Sequence, residues 1–208
     1  MSVVTIRGRL GSGAPEIGRL VADSLQADYV DREIIAKVAE KLHWPNQEVA
    51  AKEMPTDSLE GRIAEALGCS GLTLERAPYL PTWEIPSGDT LYVSGLKFVI
   101  TELAKKQPIV IQGRGSRYIL EEYPGCLHVL IVAPQELRVR RAMVKLQLDQ
   151  EAAEKEISRI DNSRREFIRM YFGADQEDPL RYDLVINTEN LGFEAAASIV
   201  VHAVPLAA

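Results

Sequence analysis

The 208-residue chain has little of what several protein classes depend on. Its two cysteines, Cys69 and Cys126, belong to no ligand-spaced motif, so neither a disulfide framework nor a zinc site is expected. Its longest apolar runs, such as Val129–Ala133, are too short to cross a bilayer, and its start has no secretory layout. The formal net charge of −6 argues against a general nucleic-acid binder. We therefore expect a cytoplasmic protein without nucleic-acid or membrane partners.

What the chain does contain indicates one globular domain over residues 1–208. Hydrophobic residues make up 46% of it and charged residues 26%, which is enough apolar material for a sizeable core. Apolar runs alternate with stretches of helical period, a pattern typical of a parallel sheet with crossover helices. The pattern predicts strands at Val3–Arg7, Asp28–Asp31, 108–115, 126–133 and 182–188. It predicts helices at Pro15–Gln26, 32–42, Thr90–Lys106, Gln135–Gln147, Gln150–Tyr171 and Phe193–Val204.

A glycine-rich turn lies between the first predicted strand and the first predicted helix. Gly8, Gly11 and Gly13 have G-x-x-G-x-G spacing, which lets backbone N–H groups approach a phosphate at the positive end of the helix dipole. Where phosphate-binding loops carry lysine and then serine or threonine, this chain has Ala14 and Pro15. An anion site here would therefore consist of backbone groups, and Arg7 and Arg9, which flank the turn, could add positive charge, although the sequence does not show their direction. A plain glycine turn is the alternative interpretation.

Basic residues are concentrated on two successive predicted helices in the second half of the chain. Each of them alone is typical of a solvated helix face balanced by glutamates. As a group they favour phosphoryl transfer, which needs several cations near the transferred phosphate. Arg114 follows a buried strand and a glycine at the carboxyl edge of the predicted sheet, where open α/β sheets bind ligands. His128 lies inside a predicted strand and is interpreted as a packed histidine. The helical set is Arg138, Arg140, Arg141, Lys145, Arg159, Arg164, Arg165 and Arg169.

Longer motifs then occur along the chain in a fixed order: "GSGAPEIG", "YVDREII", "IVIQGRGSRYIL", "LHVLIVAP", "IDNSRREFIRMYFG" and "DPLRYDLVINT". With these motifs the sequence resembles the cytidylate kinase-like family of P-loop nucleoside monophosphate kinases. The resemblance covers most of the chain and leaves residues 55–89 unmatched. It implies a three-layer α/β P-loop fold, with a parallel sheet of about five strands flanked by helices. An acceptor-binding insert is expected at residues 46–89 and a helical lid at residues 135–165.

The resemblance also implies roles for individual residues. The donor-phosphate loop would consist of Gly8, Gly11, Ser12, Gly13 and Ala14. Contacts with the acceptor nucleotide would come from Asp31, Arg32, Lys37 and Asp161. The transferred phosphate would be neutralised by Arg114, Arg140, Arg141 and Arg164, with Arg114 clamping the acceptor's phosphate. The adenine region would lie near Asn187 and Thr188.

These features predict transfer of the γ-phosphoryl group of ATP to a nucleoside monophosphate, with CMP or dCMP first among the acceptors. The cofactors would be ATP and Mg²⁺, the ion being bound through the nucleotide and not by a protein metal site. A non-catalytic nucleotide or phosphometabolite binder stays open, favoured by the residues at positions 14, 15 and 112. A small-molecule kinase with another acceptor also stays open, because a fold does not fix a substrate. A homodimer is compatible with the sequence.

Overall fold

The structure is a computed structural model that describes residues 2–31 and 90–204. Five strands form one sheet in the order β2-β3-β1-β4-β5, and every neighbouring pair is parallel. The prediction of a parallel sheet of about five strands is confirmed. Predictions for residues 32–42 and 46–89, including the roles of Arg32 and Lys37, lie outside the described residues. The strands are β1 (Val3–Gly8), β2 (Asp28–Val30), β3 (Ile109–Gln112), β4 (Cys126–Val132) and β5 (Leu184–Asn187).

Six helices lie between or after these strands in the described part of the chain. Helix α2 has the predicted bounds, and the other long helices differ from prediction by a single residue at one or both ends. Helix α3 and a 3₁₀ turn at Pro179–Arg181 were not predicted, because such short segments show no hydrophobic period. No helix in residues 2–31 and 90–204 is long and apolar enough to cross a membrane. The helices are α1 (Ala14–Leu25), α2 (Thr90–Lys106), α3 (Ser116–Ile119), α4 (Gln135–Leu146), α5 (Gln150–Phe172) and α6 (Phe193–Ala203).

Two apolar clusters lie on opposite faces of the sheet, because successive strand side chains alternate in direction. Val4 and Ile6 of β1 pack in one cluster with residues of α1 and α6. Val3 of β1 packs in the other cluster with α2, and Phe167 of α5 packs against it. The fold therefore has three layers, with both sheet faces covered as expected for a parallel sheet. Each fully buried isoleucine or valine contributes about 1.5–3 kcal/mol to folding.

The carboxyl ends of the strands bring several chain segments to one edge of the sheet. Gly8, at the end of β1, is aligned with Ile131 of β4, and Ile6 is aligned with Gln112 at the end of β3. The glycine turn after β1 and the turn after β3 therefore leave the sheet side by side. Helices α4 and α5 form a hairpin whose own small core includes Val139 and Ile157. This edge is where an open α/β sheet binds ligands.

Candidate functional site

The glycine turn forms the floor of the site and joins β1 to α1. Gly11 and Gly13 have φ values of 79° and 92°, in the left-handed region that favours glycine. A Cβ on Gly11 would lie 2.5 Å from the carbonyl oxygen of Arg138, and one on Gly13 would overlap the ring of Phe193. Gly13 is the N-cap of α1, and no side chain caps the helix. The Ala14 amide, at the start of α1, therefore has neither an intrahelical partner nor a side-chain cap, which leaves it available to an anion.

Two side chains of the turn, those of Ser12 and Ala14, do not line the cavity above it. Ser12 and Ala14 are fully buried, and a Cβ on Gly8 would overlap the Ser12 hydroxyl. That hydroxyl has no hydrogen-bond partner among the described residues. Pro15 supplies no hydroxyl, and the described residues include no group of three or more His, Cys, Asp or Glu residues suited to a metal ion. A Mg²⁺ ion would therefore be ligated mainly by nucleotide phosphates.

A buried ion pair fixes the turn to the helical hairpin. Arg138 of α4 and Asp161 of α5 are 3% and 6% exposed, and Nη1 of Arg138 lies 2.6 Å from Oδ2 of Asp161. The same Nη1 donates to the carbonyl oxygen of Leu10 at 3.2 Å, and the Leu10 amide donates to Oδ1 of Asp161 at 3.2 Å. Asp161, expected to contact the acceptor, thus contacts the glycine turn in this structure. Its acceptor role stays a prediction.

Arg141 joins the turn to the segment after β5. Its guanidinium donates to the carbonyl oxygens of Gly11 and Ser12 at 3.3 and 3.4 Å, and to Oγ1 and the carbonyl oxygen of Thr188 at 2.9 and 3.0 Å. It also lies 4.9 Å from the centroid of the Phe193 ring, a cation–π contact. Burial lowers the pKa of Arg141, and Glu16 acts in the opposite direction.

Two expected members of the adenine region therefore differ in environment. Thr188 is buried, and its hydroxyl donates to the Ser12 carbonyl oxygen at 2.8 Å. Asn187 is exposed, and its side-chain oxygen accepts from the Glu189 amide at 3.0 Å. Phe193 lines the cavity above the glycine turn, and the sequence analysis did not assign it to the site. Only its position, at the start of the helix after the last strand, marks it in the sequence.

Three arginines from separate segments come together next to the turn. Arg164 of α5 donates from Nη1 to the carbonyl oxygen of Gly8 at 3.3 Å. Burial lowers its pKa to about 10, and repulsion from Arg7 and Arg114 adds to this shift while Asp161 opposes it. Arg114 follows β3 in a left-handed conformation with a φ of 60°. The sequence did not show the direction of Arg7, which the structure places in this cluster.

A cavity of about 1250 Å³ covers the turn and collects these basic residues. Nine basic side chains and four carboxylates line it, an excess of five positive charges in a chain whose formal net charge is −6. Phe167 and Tyr171 of α5 contribute to its apolar wall. Arg140 lines the cavity and is exposed. The basic residues are Arg7, Arg9, Arg19, Arg114, Arg117, Arg140, Arg141, Lys145 and Arg164, and the acidic residues are Glu16, Asp31, Glu156 and Glu166.

Some of these charges are paired within the protein. Nη2 of Arg19 lies 3.4 Å from Oδ2 of Asp31, which is 7% exposed and was expected to contact the acceptor. Nζ of Lys145 lies 2.7 Å from Oε1 of Glu16. The site thus brings together Asp31 and the four predicted arginines at positions 114, 140, 141 and 164 around one cavity.

Sequence comparisons agree with this geometry. Residues 3–190 match the model of the cytidylate kinase-like family. A stretch of 90 residues is 31% identical to the cytidylate kinase of Methanothermobacter thermautotrophicus and covers 43% of this chain and 54% of that protein. Another, of 92 residues, is 33% identical to the uronate isomerase of Corynebacterium glutamicum and covers 44% of this chain and 18% of that protein. The chain thus spans about half of the first relative and under a fifth of the second.

Solved structures share the fold at low sequence identity. An uncharacterized protein from Eubacterium ventriosum superposes with a TM-score of 0.69 and 15% identity, covering 99% of both chains. A shikimate kinase from Bacteroides thetaiotaomicron has a TM-score of 0.51 and 10% identity, covering 98% of both chains. The protein TT1252 from Thermus thermophilus has a TM-score of 0.51 and 16% identity, covering 100% of this chain and 98% of that one. The parallel sheet, the glycine turn and the match over residues 3–190 together show that the chain belongs to the cytidylate kinase-like family, with a P-loop kinase fold.

Proposed function

We propose that this protein transfers the γ-phosphoryl group of ATP to a nucleoside monophosphate, with CMP or dCMP first among the acceptors. The observation that carries the proposal is the excess of basic side chains around a cavity whose floor is an uncapped helix N-terminus. Such a site suits two phosphorylated ligands held in line, because phosphoryl transfer needs positioning and charge neutralisation more than covalent chemistry.

The donor would bind with its phosphates on the glycine turn. The backbone amides at Gly13 and Ala14 would take the place of the lysine that this loop lacks. Mg²⁺ bound through the donor's phosphates would supply additional positive charge. The base would lie near Arg141, Thr188 and Phe193, which already contact the turn from one side.

The acceptor would bind on the other side of the cavity. Arg114 and Arg164 would clamp its phosphate, because guanidinium groups match phosphate oxygens in a bidentate geometry. Asp31 and, outside the described residues, Arg32 and Lys37 would contact its nucleoside. Arg140 is exposed on α4 and would approach the phosphates as the lid, residues 135–165, closes and excludes water.

A second function, nucleotide or phosphometabolite binding without catalysis, is favoured by a separate observation. The turn offers no lysine, and its one hydroxyl, on Ser12, is buried and faces the sheet. Both ligand sites would then exist, while the charge that develops during transfer would lack a cation from the turn.

A coupled assay with ATP, Mg²⁺ and a panel of nucleoside monophosphates tests the proposal. We expect turnover with CMP or dCMP, and a loss of about 10²-fold or more in kcat/KM for Arg114→Ala, because a preorganised cation near the transferred phosphate is removed. Arg169→Ala is the matched control, since Arg169 is exposed on α5 and does not line the cavity.

Two results contradict the proposal in different ways. Nucleotide binding by calorimetry without turnover for any acceptor assigns the protein to the binding function. Equal losses in Arg114→Ala and Arg169→Ala would show that the cavity arginine has no special part in the reaction.

A further inference from the structure

Arg7 is held in a fixed position by neutral oxygen atoms. Its Nε donates to the carbonyl oxygen of Gln176 at 3.3 Å, and its side chain is hydrogen-bonded to the Tyr182 hydroxyl. Tyr182 in turn donates to the same Gln176 carbonyl oxygen at 2.7 Å. The segment between α5 and β5 therefore orients Arg7 without neutralising its charge.

Arg7 and Arg164 have few negatively charged groups near them. Neither forms an ion pair with a carboxylate among the described residues. The nearby carboxylate, Asp161, pairs with Arg138. Burial lowers the pKa of both Arg7 and Arg164, and Arg164 lies near both Arg7 and Arg114. Partly buried charges without counter-ions are unfavourable, so this arrangement favours the binding of an anion.

The neighbouring Arg9 shows the contrast. Both Nε and Nη2 of Arg9 contact the carboxylate of Glu177. The carboxylate of Glu177 therefore neutralises the charge of Arg9 within the protein. Arg9 lies only two residues after Arg7, just beyond the end of β1. Arg9 and Arg7 thus form a natural pair for comparison, one with a carboxylate partner and one held by neutral oxygens.

We propose that Arg7 is a further phosphate-binding residue, which with Arg114 and Arg164 forms the anion site for the acceptor, and that Tyr182 and Gln176 position it. Three guanidinium groups suit a phosphate dianion better than a singly charged carboxylate. This inference rests on the proposed function for the role of the bound phosphate.

Inorganic phosphate is the probe, titrated by calorimetry into the full chain at constant ionic strength. We expect Arg7→Gln to bind phosphate at least tenfold more weakly than the wild type, because a partly buried guanidinium contact is lost. Arg7→Lys keeps the positive charge but loses the two-pronged donor geometry of a guanidinium, so its phosphate affinity should lie between those of the wild type and Arg7→Gln. Arg9→Gln, which removes a charge already paired with Glu177, should lose less affinity than Arg7→Gln, and Arg169→Gln, outside the cavity, is the control that should keep wild-type affinity. Circular dichroism melts establish that each variant is folded.

A double-mutant cycle separates positioning from a general structural role. Tyr182→Phe should weaken phosphate binding several-fold in the wild-type background and have no further effect in Arg7→Gln, because its hydroxyl acts through Arg7. Equal phosphate affinities for the wild type and Arg7→Gln overturn the proposal. If the affinity losses of Tyr182→Phe and Arg7→Gln are additive in the cycle, the positioning role of Tyr182 is contradicted.

Phosphate binding and turnover distinguish this inference from the proposed function. If phosphate binding depends on Arg7 but the wild-type protein transfers no phosphoryl group, the anion site is supported and the proposed kinase activity is contradicted. If the protein transfers a phosphoryl group but its phosphate affinity does not depend on Arg7, the kinase activity is supported and the proposed Arg7 site is contradicted.

Discussion

At the scale of single residues, His128 is a buried group whose charge state is set by its surroundings. It is 5% exposed in β4, and its Nδ1 lies 2.7 Å from Oγ1 of Thr5 on the neighbouring strand. Burial lowers its pKa to about 4, Arg117 acts in the same direction, and Asp183 opposes them. The sequence-based interpretation of His128 as a packed histidine is confirmed.

This environment predicts how stability depends on pH. The pKa of His128 is about 4 in the folded protein and 6.5 without the protein environment, so the unfolded chain binds the additional proton between these values. The contribution is complete above pH 6.5 and is lost as the pH falls towards 4, with a loss of about 2 kcal/mol by pH 5. Urea unfolding at pH 7.5 and pH 5 measures it. His128→Phe should lose less stability than the wild type over this interval, and equal losses would contradict the assignment.

At the scale of elements, α4 is fixed to the glycine turn along one face. Arg138, Arg141 and Lys145 are spaced by three and four residues, so they lie on the same side of the helix. They contact the Leu10 carbonyl, the Gly11 carbonyl and Glu16 in turn. Any closing motion of the predicted lid that moved this face of α4 would have to break these contacts.

The close approach of α4 to the turn makes Gly11 sensitive to substitution. Gly11→Ala places a Cβ 2.5 Å from the carbonyl oxygen of Arg138 and keeps a φ of 79°, so we expect a loss of more than about 2 kcal/mol in the free energy of unfolding. Gly173→Ala is the matched control, since Gly173 has a φ of 61° but no atom within 4 Å of the added Cβ. It should cost only about 1 kcal/mol. Equal losses in chemical denaturation would show that contact with α4 does not matter.

Local patterns predicted the elements well, and tertiary partners explain what they left out. The strands and long helices follow from apolar runs and helical periods, as the predicted bounds of α2 illustrate. The contact of Asp161 with Leu10 joins residues 151 positions apart, so no local pattern could indicate it. The same holds for Arg7, whose direction depends on Tyr182 and Gln176. Residues common to a family motif were predictable, whereas their partners were not.

At the scale of the whole molecule, the distribution of charge opposes the net charge. The chain has a formal net charge of −6, while the cavity has an excess of five positive charges. Charges within a concave, partly apolar wall act strongly on a nearby ligand, whereas the charges on the far surface are screened over about 10 Å at 0.1 M salt. The local field of the cavity should therefore decide how fast an anion enters.

The sign of the salt effect tests this balance. We expect the association rate of a fluorescent ATP analogue to fall several-fold between 20 and 300 mM KCl, because salt screens attraction by the cavity. Stopped-flow fluorescence measures the rate. A rate that rises with salt would show that repulsion by the net charge of −6 governs approach.

The bend between β1 and α1 has a consequence for how such proteins can diverge. An anion site made of main-chain amides would depend on the conformation of the backbone and not on the identity of any one side chain. Substitutions at the flanking positions Ala14 and Pro15 would therefore leave such a site in place as long as Gly11 and Gly13 keep their left-handed conformation. The arginines that line the cavity could then change one at a time while the turn keeps its conformation.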